Sequence, residues 1–176
     1  MKIAQAALIF RVVIPLTWRA EWVWGFPLIV LTVVIHVFGL GLINRRAVRI
    51  SSGIMSHRHP TVMFVVVMSV TTWLASSLHA LEASIWAGAY QLLGALPDYK
   101  SAMLYSLSAI TSYGHVNLYL EEHWQLMGAM EALNGWLLFG VTTAFLFGII
   151  NKLWLSSGRE EQGSRHFSKR NSNYPQ

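Results

Sequence analysis

The sequence predicts an all-α integral membrane protein: three membrane-spanning helices, with a short re-entrant helix between the second and third. Composition is the first reason. Of 176 residues, 54% are hydrophobic and only 12% charged, against roughly a quarter charged in a soluble domain, and mean hydropathy is +0.44. The second is three runs without Asp, Glu, Lys or Arg: Trp22–Asn44, Pro60–Leu81 and Ala132–Asn151. Each approaches the about 20 apolar residues that a helix needs to cross a bilayer. The third is the 8 tryptophans. Trp18, Trp22, Trp24 and Trp124 flank the spans, where interfacial anchors belong. The length suits one compact unit.

Charge placement orients the spans. The net charge of +5 and pI near 9.8 would suit a nucleic-acid partner, but the cations sort by loop. Arg45, Arg46, Arg49 and Arg58 lie between the first two spans, and Lys152, Arg159, Arg165, Lys169 and Arg170 follow the third. Between the second and third spans stands Lys100, with Asp98, Glu121 and Glu122. The positive-inside rule puts loop 45–59 and the C-terminus in the cytoplasm and segment 91–123 outside. The expected partner is the lipid bilayer, with no nucleic acid. The absence of cysteine excludes disulfides and thiolate metal centres.

Along the chain, residues 1–20 read as an interfacial or amphipathic segment. Ala7–Phe10 is too short to span, Arg11 interrupts it, and no clean signal-peptide cleavage site follows. The first transmembrane helix covers 21–44, and a basic loop covers 45–59. The second helix runs 60–90, because Ala83, Ile85, Trp86 and Ala87 keep it apolar past Glu82. The third covers 124–151. Residues 152–176, rich in Ser, Asn and charge, read as a flexible tail.

Segment 92–123 is the informative one. Gly94-Ala95-Leu96-Pro97-Asp98 is a turn, and Ser101–Ile110 is apolar but only about ten residues long, the length of a re-entrant segment. Thr111-Ser112-Tyr113-Gly114-His115 follows, small and polar. A half-helix ending inside a membrane needs its end groups satisfied by protein or water, and its carbonyl end carries partial negative charge that favours a cation. Span, short helix, polar strand, span is the plan of a tetrameric cation pore.

Three motifs make the likeness specific. They are His79-Ala80-Leu81-Glu82 with Trp86-Ala87 and Tyr90; Tyr113-Gly114; and Glu131-Ala132-Leu133-Asn134-Gly135 with Phe139-Gly140 and Thr142-Thr143-Ala144-Phe145-Leu146. Residues 78–150 thereby resemble the pore domain of the two-transmembrane potassium-channel superfamily, especially bacterial potassium-channel-like proteins. The resemblance implies a pore domain over 60–151, with outer helix 60–90, pore helix and filter 100–115 and inner helix 124–151, preceded by one extra N-terminal transmembrane helix. It further implies a homotetramer in a bacterial inner membrane, passing monovalent cations through backbone carbonyls of Ile110, Thr111, Ser112, Tyr113 and Gly114. His115 would stand at the outer mouth. Gly135 or Gly140 would hinge the inner helix, and Thr142 and Thr143 would line the cavity. K+ is the expected permeant ion, together with Na+.

The filter departs from the family's Thr-Val-Gly-Tyr-Gly. Aligned on Tyr113-Gly114, Ile110 replaces the threonine that closes the innermost site; a one-residue deletion would instead place Thr111 there. Ser112 replaces a glycine, and a left-handed backbone at serine costs roughly 1–2 kcal/mol. Both changes predict K+ selectivity weaker than the family's. They also keep open the alternative of a non-conducting channel-like scaffold or accessory subunit. His115 is either a solvated loop residue or one of four imidazoles that titrate at the mouth.

Glu82 and Glu131 sit in otherwise apolar helices, where carboxylates usually mark function or a specific partner. With His79, one helical turn from Glu82, they read as a scaffold behind the pore helix or as satisfied structural carboxyls. His36 and His79 are candidate haem ligands, and His57 with His59 candidate metal ligands, but no further residue supports either. The expectation is no enzyme activity, no cofactor, and no metal beyond permeant cations.

Overall fold

The computed structural model describes residues 2–54, 60–114 and 117–171, with side chains placed over most of 18–153. It is helical, with no strand among the described residues: α1 (Lys2–Ile54), α2 (Pro60–Leu92), α3 (Tyr99–Ile110), a 3-10 turn (Glu122–Trp124) and α4 (Gln125–Asn171). Three stretches are long and apolar enough to cross a membrane, namely Trp18–Ala47, Thr61–Leu92 and Glu122–Leu153. They coincide with the three charge-poor runs.

The helices outrun the expected segments. Residues 2–20 and 21–44 form one helix with no break near residue 20, and α1 continues through Arg45, Arg46 and Arg49 to Ile54. Ala20-Glu21-Trp22 contains no turn-forming residue, and arginine is a good helix former. Loss of hydrophobicity therefore does not end the helix; Gly53 and Pro60 bracket the end instead. Likewise α4 extends through the expected flexible tail to Asn171.

The chain divides into two compact units: Met1–Gly39 with Ser76–Val141, and Leu40–Ala75 with Thr142–Gln176. In the second unit Leu40, Ile43, Val67, Thr71, Ala75, Thr142 and Ile149 are buried, and Lys152 Nζ donates to Asn44 Oδ1 at 3.2 Å. The first unit holds α3. Its core joins Trp86, Tyr90, Leu96, Ala102, Leu120, Trp124, Met127 and Met130, while Ala83, Ile110 and Leu138 form a second cluster. Outward faces are apolar, as at Val30, Val34, Phe38, Leu133, Leu137 and Phe139, which suits a lipid-facing surface.

Within the first unit, α1 packs closely against both α2 and α4. A Cβ at Gly39 would meet the Leu78 side chain, and one at Gly25 the Met130 side chain. Glu21, buried, accepts the backbone N–H of Leu126 at 2.8 Å. That carboxylate serves one of the unpaired donors at the start of α4 and suits the positive end of its dipole.

Candidate functional site

α3 begins at a proper cap. Asp98 accepts the backbone N–H of Ser101 at 3.0 Å and its hydroxyl at 2.7 Å. The turn before it needs a positive φ at Gly94. Ala102, Ser106 and Ile110, four residues apart, bury one face of α3, and Ser108 is buried as well.

Ser106 is the anchor. Its hydroxyl makes a short hydrogen bond to Glu131 Oε1 and also reaches the Ala83 carbonyl at 2.7 Å. Tyr90 donates to the other carboxyl oxygen, Oε2, at 2.7 Å. Glu131, Ser106 and Tyr90 are all fully buried, so one carboxyl group joins α2, α3 and α4. Both of its oxygens are satisfied, which removes the cost of burying it unpaired. Tyr105 stacks edge-on against Tyr90 with ring centroids 5.5 Å apart.

α3 ends in a tight reversal. Thr111 is the C-cap and Ser112 takes the left-handed conformation, φ 54°. Ser112 N donates to the Ala109 carbonyl at 2.9 Å and Tyr113 N to the Ser108 carbonyl at 2.9 Å. This is the Schellman pattern, with Ser112 where glycine is usual. The left-handed serine is the residue that follows the C-cap of α3. Thr111 adds a hydroxyl bond to the Leu107 carbonyl at 2.6 Å. Trp136 Nε1 donates to Ser112 Oγ at 2.9 Å. Tyr113 points outward, 86% exposed, and Gly114 has φ 77°. His115, the expected mouth residue, lies outside the described residues, as do His57 and His59.

α4 meets this reversal at Gly135. A Cβ there would collide with the Ile110 carbonyl, so Gly135 is a close-packing glycine where α3 ends. At Gly140 a Cβ would meet nothing within 4 Å. Of the two threonines expected in a cavity, Thr142 is buried and Thr143 exposed. Asn134, buried in the same motif as Glu131, donates to Thr32 Oγ1 at 2.8 Å, and Thr32 bonds back to the Leu28 carbonyl at 2.8 Å.

Glu82 does not share the environment of Glu131. It is fully buried and pairs with α1: His36 Nδ1 lies 2.7 Å from its Oε1, and His36 is itself buried. His79 Nδ1 lies 3.4 Å from Oε2. The sequence reading missed His36 as the partner, because 46 positions separate the pair. It also passed over Glu21, a carboxylate at the edge of a charge-free run. The His36 and His79 rings are 4.9 Å apart at their centroids, too close to hold a porphyrin between them. A cavity of about 530 Å³ opens beside His79, bordered by Ser76, Leu107, Thr111, Ser112 and Trp136 among others.

Comparisons with protein-family models, curated proteins and solved structures yield no match to this chain.

Proposed function

We propose that the chain assembles as a homotetramer and that each copy contributes α3 and the Thr111–Gly114 segment to a shared pore for monovalent cations. The observation that carries this reading is the seating of α3. At 12 residues and about 1.5 Å per residue, it falls well short of a hydrocarbon core about 30 Å thick. Yet it sits between two spanning helices, bound from behind by Glu131 and stopped against Gly135. A rigidly held half-helix followed by small polar residues is what an ion-dehydrating segment requires. The lipid bilayer, K+ and Na+ are the proposed partners, with residues 45–59 and the C-terminus on the cytoplasmic side of a bacterial inner membrane.

A second reading is a non-conducting, channel-like scaffold or accessory subunit. The Schellman closure favours it, because the Ser108 and Ala109 carbonyls are taken by backbone N–H groups rather than left for an ion. Flux from liposomes containing the purified chain separates the two. K+ flux well above a protein-free blank, with discrimination against Na+ weaker than that of a Thr-Val-Gly-Tyr-Gly channel, supports the pore. Four copies in a native mass measurement support the tetramer. No flux together with a stable monomer or dimer rejects the pore.

A further inference from the structure

We propose that His36, His79 and Glu82 form a binding site for one divalent transition-metal ion, zinc being the ion that suits the donors best. The site is separate from the pore reading and stands without it.

The three side chains come from two helices and converge: one ligand atom from each lies within 4.8 Å of the other two. Zinc bonds of about 2.0–2.2 Å to nitrogen and oxygen put tetrahedral ligand atoms roughly 3.4 Å apart. The cluster therefore closes on an ion through modest side-chain rotations. Two imidazoles and one carboxylate are a common zinc donor set with one position left open, whereas calcium and magnesium favour all-oxygen shells.

A second observation points to a ligand. Glu82 is fully buried and its Oε1 is paired to His36 at 2.7 Å, while its Oε2 is met by no closer partner than His79 Nδ1 at 3.4 Å, beyond the usual range of an N–H···O hydrogen bond. A buried carboxylate oxygen left in this state is costly, and a cation between it and the two rings removes that cost. The route in is also present. His79 keeps 26% of its side chain exposed and lines the 530 Å³ cavity, while His36 and Glu82 are sealed. The ion would enter from the cavity past His79, and its open position would face that side. Because His36 lies on α1 while His79 and Glu82 lie on α2, occupancy cross-links the two helices.

The test uses the full-length chain in detergent, with its affinity tag removed and its metal stripped by chelator. Zn2+ is titrated in competition with a chromophoric chelator. The expected result is one Zn2+ per chain, with affinity at least about tenfold weaker in His79→Ala and in Glu82→Gln, of the order seen when support of a metal site is lost. A His57→Ala/His59→Ala/His123→Ala variant should bind as the wild type does. His79 is partly exposed, so its variant is the one expected to fold, which its apo melting temperature checks. If Glu82→Gln does not purify folded, His79→Ala and Co2+ substitution in the wild type decide the matter. Co2+ should give the intense visible absorption of a four-coordinate ion, absent in His79→Ala. No stoichiometric zinc in the wild type, equal affinity in His79→Ala, or loss of zinc only in the triple variant overturns the proposal.

Discussion

Trp136 donates its indole N–H to Ser112 Oγ at 2.9 Å, so α4 grips the one described non-glycine residue with a left-handed backbone, at φ 54°. Two effects oppose each other at Ser112. The left-handed conformation costs a serine roughly 1–2 kcal/mol, while the hydrogen bond contributes about 0.5–1.5 kcal/mol net. The bond offsets most of the strain.

A double-mutant cycle therefore gives an asymmetric result. Ser112→Gly alone relieves the strain but loses the bond, and should change stability by less than about 0.5 kcal/mol in either direction. With Trp136→Phe already made, the same substitution should stabilise by about 1 kcal/mol, after allowing for glycine's greater freedom in the unfolded chain. Thermal and denaturant unfolding in mild detergent measures both arms. Equal effects in the two backgrounds would show that the indole does not hold Ser112.

This pairing marks the limit of what the sequence makes legible. The spans follow from charge-free runs, and α3 from its length and its Pro97-Asp98 start, because both are local properties. Which residues face one another depends on the rotation of each helix about its axis. No local pattern reports that for Trp136 and Ser112, 24 positions apart, or for Asn134 and Thr32, 102 apart. Glu131 was legible as an unusual carboxylate, but its two donors, Tyr90 and Ser106, were not. The helix ends depart from the charge pattern for a different reason. Polarity at 1–20 and 45–54 changes the solvent that a helix prefers, not its backbone.

Gly135 and Gly140, five positions apart on α4, should respond differently to the same methyl group. Gly135→Ala drives a Cβ into the Ile110 carbonyl, a backbone atom that moves only if the end of α3 moves. Such overpacking costs about 1–3 kcal/mol. Gly140→Ala meets nothing within 4 Å, and should be neutral or stabilising by up to about 1 kcal/mol through helix propensity. Melting temperatures of the two variants test this, and a larger loss at Gly140 would reverse the assignment.

Asp98 connects the start of α3 to pH. The backbone N–H and hydroxyl of Ser101 hold its carboxyl below the ordinary carboxylate range. A folded-state value below the unfolded one means that the ionised cap adds stability above the unfolded value. That contribution is lost as pH falls through the folded one. Asp98→Asn keeps a capping oxygen but does not titrate. Wild type and variant should therefore converge in melting temperature as pH drops from about 5 to about 2, with the wild type ahead at neutral pH. Parallel curves over that range would mean that the cap's charge is irrelevant.

The last prediction concerns the carboxyl group behind α3. Tyr90→Phe and Ser106→Ala each remove one donor to Glu131. Interhelical hydrogen bonds in membranes average about 0.6 kcal/mol and reach about 1.7, and a buried oxygen left unpaired adds to that. Each variant should lose about 1–2 kcal/mol. Glu131→Ala leaves a cavity and takes the carboxyl partner from the Tyr90 hydroxyl, while Ser106 keeps the Ala83 carbonyl, so about 3 kcal/mol is expected. The three groups act as one network, so the losses should not add. With Glu131→Ala in place, Tyr90→Phe should cost almost nothing, since its hydroxyl has no carboxyl to serve. Glu131→Gln should fall between wild type and Glu131→Ala, because its amide retains an acceptor for only one of the two donors. Unfolding free energies across the five variants measure this. If Tyr90→Phe costs the same with and without Glu131, the tyrosine contributes by packing alone, and the carboxyl group does not join α2 to α3 and α4.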